Sequence, residues 1–107
     1  MSIRGDSMQI DKLRGEQLDQ LFDAILSLES REECYQFFDD IATMNEIQAL
    51  TQRLTVAKML SEGQTYHAIV DESHASTTTI SRVKRCLTYG SGGYETVLKK
   101  LADKEDE

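Results

Sequence analysis

The chain has 107 residues, 39% of them hydrophobic and 29% charged, without proline or tryptophan, which excludes a disordered protein and suits one soluble helical domain. Its formal net charge of -7 argues against strong nonspecific coating of nucleic acid, because phosphate binding is driven by Lys and Arg. No apolar run reaches the roughly 18 to 20 residues of a membrane span, and the polar start lacks the features of a signal peptide, so we expect a cytoplasmic protein without a membrane partner.

Apolar residues at spacings of three and four predict an all-α subunit of six helices. Two capping-box patterns, Ser30 with Glu33 and Thr43 with Glu46, predict the starts of the second and third helices. The expected helices are Glu16 to Leu28, about 31 to 42, Thr43 to Gly63, about 65 to 73, about 77 to 88, and Tyr94 to Ala102. We therefore expect a flexible segment at 1–14, one domain at 15–102 and a charged tail at 103–107.

The charges are distributed unevenly along the chain. Residues 1–75 carry 6 basic and 14 acidic groups, whereas residues 76–100 carry 5 basic groups and 1 acidic group. The positive charge is therefore concentrated in the segment that includes the fifth predicted helix, as a DNA-binding helix requires.

Residues 65–88 have the spacing of a helix-turn-helix, in which a few apolar residues meet at fixed offsets between two short helices. The residues at those offsets are Ile69, Ala75, Ile80 and Val83. Ser76 is placed to cap the second helix, whose outer face then presents hydroxyls followed by cations: Thr77, Thr78, Ser81, Lys84 and Arg85. Such groups can contact bases and phosphates, although a polar helix start and a solvated basic face are the simpler alternative.

From Thr43 through Leu87 the sequence resembles the Trp repressor family, especially its YerC-type relatives. The residues that carry the resemblance are Asn45-Glu46, Ala49-Leu50, Arg53, Leu60, Gly63, Thr79-Ile80 and Arg82. The resemblance implies an intertwined homodimer that binds double-stranded DNA at a palindromic operator, as a transcriptional repressor. Its paired recognition helices would enter successive major grooves, the docking for which the Trp repressor is itself a standard example.

The same resemblance implies two sets of site residues. The DNA-facing positions are Tyr66, His67, Thr77, Thr78, Thr79, Ser81 and Arg85, to which the outer face of the fifth helix adds Lys84. The positions that match the family's effector site are Thr43, Arg53 and Arg82, although the two arginines could instead pair with carboxylates. Val83 replaces a glycine beside the effector and Cys86 replaces a serine, which argues against tryptophan as the small-molecule corepressor and leaves open whether one exists.

The cysteines and histidines predict neither a disulfide nor a metal site. Cys34 and Cys86 stand far apart and are expected to be buried or half-buried thiols, and neither His67 nor His74 has neighbours that predict a metal site. His74 replaces the glycine usual in the turn, so a strained or reshaped turn is expected. With no phosphate loop or catalytic motif, we expect no enzyme and no catalytic residue.

Two alternatives to a stand-alone regulator stay open at this stage. The first is a protein-interaction module that keeps a helix-turn-helix fold without specific DNA binding. The second is a relative of the DNA-binding domain of the bacterial replication initiator, which has a similar helical arrangement but needs a nucleotide-hydrolysing domain that this sequence lacks.

Overall fold

A computed structural model describes residues 8–105, which form a short 3-10 helix and six α-helices without a strand. The all-helical, six-helix prediction is therefore confirmed. The 3-10 helix is Gln9–Leu13, and the α-helices are α1 Glu16–Leu26, α2 Arg31–Ile41, α3 Met44–Ser61, α4 Tyr66–Ser73, α5 Thr77–Tyr89 and α6 Gly93–Glu105. None of these helices combines the length and apolarity needed to cross a membrane.

The ends of α1 and α6 differ from the sequence prediction for identifiable reasons. Helix α1 stops at Leu26 and not at Leu28, because Ser27 donates its hydroxyl to the Ala24 carbonyl at 2.6 Å and competes with helix continuation. Helix α6 continues to Glu105, three residues beyond the predicted end at Ala102. The apolar spacing ends at Leu101, but the polar residues that follow favour a helix by propensity, and Glu105 lies 3.8 Å from Lys58 of α3.

The predicted helix caps are present, with one difference. Thr43 and Glu46 form the complete reciprocal box at the start of α3, with backbone N–H to side-chain oxygen distances of 2.8 and 3.1 Å. Ser30 accepts the Glu33 N–H at 3.0 Å, but the Glu33 carboxylate accepts from Glu29 and not from Ser30. The Thr43 box also holds the pKa of Glu46 below its usual range, because the carboxylate accepts the Thr43 backbone N–H.

The chain divides into two compact units after Ala42. In residues 8–42, which contain α1 and α2, no side chain is fully buried, and the predicted apolar stripes lie open: Leu26 is 80% exposed and Tyr35 is 69% exposed. Phe37 and Phe38 pack edge to face at 5.5 Å between ring centroids. Cys34 is exposed on α2, and Cys86 is exposed on α5. The prediction that both thiols are buried or half-buried is therefore wrong for a single copy of the chain.

The second unit, residues 43–105, has the hydrophobic core of the described chain. Its fully buried residues come from α3, α4, the turn and α5: Val56, Ala57, Met59, Ile69, Ala75, Ile80 and Val83. The four apolar residues predicted from helix-turn-helix spacing are all among them, which confirms that prediction. Tyr94 and Leu98 of α6 pack against this core, so α6 supports the inner face of α5.

Candidate nucleic-acid interface

Local hydrogen bonds fix the two helices of the helix-turn-helix. Thr65 caps α4 by accepting the Ala68 N–H at 3.1 Å, and Ser76 caps α5 by accepting the Thr79 N–H at 3.1 Å. At the end of α4, the Ser73 carbonyl accepts a 3.1 Å hydrogen bond from the side-chain amide of Gln52 in α3. Hydrogen bonds therefore stabilise both α4 and α5 and connect the turn to the long helix α3.

His74 occupies the sharpest point of the turn. Its backbone is left-handed, with φ 59 and ψ 19, and its N–H donates to the Val70 carbonyl at 2.9 Å. Within residues 8–105 it is the one non-glycine residue with a positive φ. This conformation crowds the Cβ atom, so the turn carries the backbone strain that the sequence predicts.

We predict that His74→Gly stabilises the protein by about 1 kcal/mol, because glycine adopts the left-handed region without a Cβ clash. The measurement is the free energy of unfolding in urea at a fixed protein concentration. Glu72→Gly, at an exposed position inside α4, is the matched control and should instead destabilise by about 1 kcal/mol. A loss of stability in His74→Gly would show that the histidine side chain makes a contact worth more than the backbone strain.

The outer face of α5 is exposed and polar, opposite the buried Ile80 and Val83. A shallow, open depression lies along this face, lined by Thr77, Thr78, Ser81, Arg82 and Arg85. Throughout the described chain, no carboxylate lies within ion-pairing distance of Arg82, Lys84 or Arg85, although Arg14 and Lys58 both have acidic partners. The depression therefore offers hydroxyls and two arginines to an anionic partner, with no carboxylate of residues 8–105 neutralising them.

The remaining predicted DNA-facing residues differ in the exposure of their side chains and in the contacts that these make within the protein. Thr79 is half-buried and its hydroxyl accepts a 3.1 Å hydrogen bond from Ser76, so it is engaged in the cap of α5. Tyr66 and His67 are exposed at the start of α4, where His67 Nε2 lies 3.5 Å from an Asp71 carboxylate oxygen. The Lys84 ammonium lies 5.6 Å from the centroid of the Tyr66 ring.

Arg82 lines the same depression as Thr77, Thr78, Ser81 and Arg85, although the resemblance implied an effector site for it. The spacing of Thr78, Ser81, Arg82 and Arg85 at intervals of three, one and three places them on one helical face, so this grouping could have been found from the sequence. The contact between Tyr66 and Lys84, in contrast, has no sequence signal, because it depends on how two helices cross.

Comparison with known proteins identifies the family. The sequence profile of the Trp repressor protein family matches residues 16–102. The protein YerC of Bacillus subtilis (strain 168), whose function is uncharacterised, is 64% identical over 100 residues, covering 94% of this chain and 96% of YerC. This chain belongs to the Trp repressor family.

Two solved structures agree with this family assignment. The crystal structure of a candidate Trp repressor from Staphylococcus aureus superposes with a TM-score of 0.87 at 64% identity, covering 90% of this chain and 96% of that one. A TrpR-like protein from Eubacterium eligens ATCC 27750 superposes with a TM-score of 0.83 at 51% identity, covering 86% and 95% of the two chains. This Trp repressor family member thus has the helix-turn-helix fold of a family of DNA-binding regulators and not of enzymes.

The effector positions that the Trp repressor resemblance implied lie on two helices. Thr43 caps α3, whereas Arg53 is ten residues further on, about 15 Å along the helix axis. Val83, which replaces a glycine of the family repressor, is buried in the core. Arg53 and Arg82 have no carboxylate partner within the described residues, so the structural ion pairs considered as an alternative are absent there.

Tyr94 of α6 feels the charges of Arg53 and of Cys86, which replaces a serine of the family repressor. Burial raises the pKa of the Tyr94 phenol, nearby Cys86 adds to the rise, and the positive charge of Arg53 opposes it. Tyr94 also packs against the hydrophobic core.

Proposed function

We propose that this protein is a transcriptional repressor that binds a palindromic operator in double-stranded DNA as a homodimer. One observation carries the proposal: the outer face of α5 presents Thr77, Thr78, Ser81, Arg82 and Arg85 together, with no carboxylate neutralising the arginines in the described residues. Hydroxyls near the helix start can reach base edges, and the arginines further along can reach phosphates. Binding to the chromosome places the protein in the cytoplasm.

The open apolar stripes of α1 and α2 support the homodimer. Large apolar side chains stand exposed there, including Phe22, Leu26, Tyr35 and Ile41, whereas monomeric proteins rarely expose such contiguous surface. A second copy would cover these stripes and supply the core that so small a chain lacks. Two-fold symmetry of the dimer would then pair the recognition helices and require matching half-sites in the DNA.

The acidic composition favours sequence-specific binding over general affinity for DNA. A net charge of -7 repels phosphate at long range, so a few contacts by α5 must carry the affinity. Thr78 and Ser81 are the proposed base-reading groups, whereas Lys84 and Arg85 are the proposed phosphate contacts. His67, Thr77 and Thr79 complete the proposed interface, and Tyr66 lies beside it as the first residue of α4.

The experiment selects bound fragments from the host genome and measures the affinity of the full-length protein for the resulting duplex. We expect a near-palindromic site, and scrambling one half-site should weaken binding at least about a hundred-fold, since each mismatched base pair costs about 1 to 3 kcal/mol. Unchanged affinity after scrambling would contradict the symmetric operator. Failure to bind any DNA, with a dimer present in sedimentation, would favour an interaction module instead.

We propose further that tryptophan does not serve as corepressor. Thr43, Arg53 and Arg82 match the family's effector positions, but Val83 stands where the family repressor has a glycine, and a branched side chain leaves less room for an indole. The operator titrations are therefore repeated with L-tryptophan and with a panel of other amino acids. Micromolar tryptophan binding by calorimetry, together with tighter operator binding, would overturn this part of the proposal.

A further inference from the structure

Tyr66 and Lys84 connect the two helices of the helix-turn-helix. Tyr66 is the first residue of α4 and Lys84 lies past the middle of α5, yet the Lys84 ammonium is 5.6 Å from the centroid of the Tyr66 ring. An ammonium at this distance is attracted by the negative face of an aromatic ring. The Tyr66 ring is 38% exposed, so both partners remain accessible to solvent and to a ligand.

Whether the Lys84 ammonium can bind an anion depends on the side chain that it contacts. A carboxylate partner would hold the ammonium but would also neutralise its charge. Glu105 is such a partner for Lys58, with 3.8 Å between its Oε1 atom and the lysine Nζ atom. An aromatic ring holds the ammonium and leaves its full charge for an anion. In the part of the chain that the structure describes, Lys84 has no acidic partner, so the Tyr66 ring restrains a cation that is still free to bind phosphate.

Restraint matters because a lysine side chain is flexible. A free lysine loses much rotamer entropy when it is fixed against a phosphate, and a side chain that is already restrained loses less. The contact also connects the two helices, because the aromatic ring belongs to α4 and the lysine belongs to α5. The contact therefore favours one position of the ammonium relative to α5 before DNA arrives.

We propose that Tyr66 is a positioning residue, which holds the Lys84 ammonium for a phosphate of the DNA backbone and acts through its ring, not through its hydroxyl. This inference rests on the proposed DNA-binding function. It assigns Tyr66 a role different from the direct DNA contact that the sequence analysis expected.

The test is a double-mutant cycle in the full-length protein with Tyr66→Phe, Tyr66→Leu and Lys84→Met. The probe is a pool of random-sequence duplex DNA at low ionic strength, because a phosphate contact does not depend on base sequence. Tyr66→Leu should lower the affinity about two- to five-fold, as expected for the loss of an exposed cation–π contact, and Tyr66→Phe, which keeps an aromatic ring, should recover that loss. In the Lys84→Met background, which itself should lower the salt slope by about 1, Tyr66→Leu should have no further effect.

A measurement without DNA separates this inference from the proposed function. The ring current of Tyr66 should shift the Cε protons of Lys84 upfield in NMR spectra, and the shift should persist in Tyr66→Phe and vanish in Tyr66→Leu. If the unaltered protein binds no DNA while the upfield shift is present, the proposed function fails and the positioning role falls with it. If the unaltered protein binds DNA but Tyr66→Leu weakens binding equally with and without Lys84, or Tyr66→Phe behaves as Tyr66→Leu, the positioning role alone is overturned.

Discussion

Arg85→Ala should weaken binding to every duplex by about ten-fold and reduce the salt slope of the binding constant by about 1, as expected for loss of one charged phosphate contact. Arg85 lines the open depression on α5 and has no acidic partner within residues 8–105, so its charge is available in full to DNA. Because phosphates occur in every sequence, the loss should be similar for the operator and for unrelated DNA. The measurement is a titration of both duplexes at several salt concentrations.

Two matched variants serve as controls for Arg85→Ala. Arg31→Ala removes the same charge at the start of α2, outside the proposed interface, and should leave the salt slope unchanged. Thr78→Val alters the same depression without changing charge, and should reduce discrimination between operator and unrelated DNA by about 1 to 3 kcal/mol. If Arg85→Ala left affinity and salt slope unchanged, the assignment of this face of α5 to DNA would be wrong.

The fold was predictable where local chemistry determines it. The caps at Thr43 and Ser76 and the buried Ile69, Ala75 and Ile80 follow from spacing, because a helix-turn-helix brings fixed offsets together whatever surrounds it. The end of α6 was less predictable, since its last turn is polar and the apolar period gives no information there. The exposure of Cys34 was missed because an apolar stripe predicts a buried face without saying which molecule buries it.

The candidate site was predictable in part, for a related reason. Residues on a single helix can be grouped from spacing alone, and Thr77, Thr78, Ser81 and Arg85 of the predicted outer face do line one depression. Lys84, predicted with them, does not line it, whereas Arg82 does. Contacts between helices depend on crossing geometry, which a sequence period does not contain. The pairing of Tyr66 with Lys84 and the bond from Gln52 to Ser73 both belong to that second class.

The proposed interface also depends on a core that holds α5 at a fixed angle. Ile69 of α4 has no exposed surface and belongs to the same buried cluster as Ile80 and Val83, which come from the inner face of α5. The two helices are short, and helices of this length are marginal in isolation, so packing at this cluster supplies most of their stability. Loss of volume here should therefore affect the whole second unit and not only α4.

Ile69→Ala should destabilise the protein by about 2 to 5 kcal/mol, because the truncation removes buried apolar surface and leaves a cavity that a close-packed core fills only partly. That loss is a large fraction of the roughly 5 to 15 kcal/mol that a domain has in total, so DNA binding should fail near physiological temperature although no interface residue changes. The control is Val70→Ala, one residue further along α4, where the side chain is 37% exposed and truncation should cost less than about 1 kcal/mol. Urea unfolding at one fixed protein concentration measures both variants, since the stability of a dimer depends on concentration. Equal losses at the two positions would mean that Ile69 does not anchor α4 to α5, and that the orientation of the recognition helix has another origin.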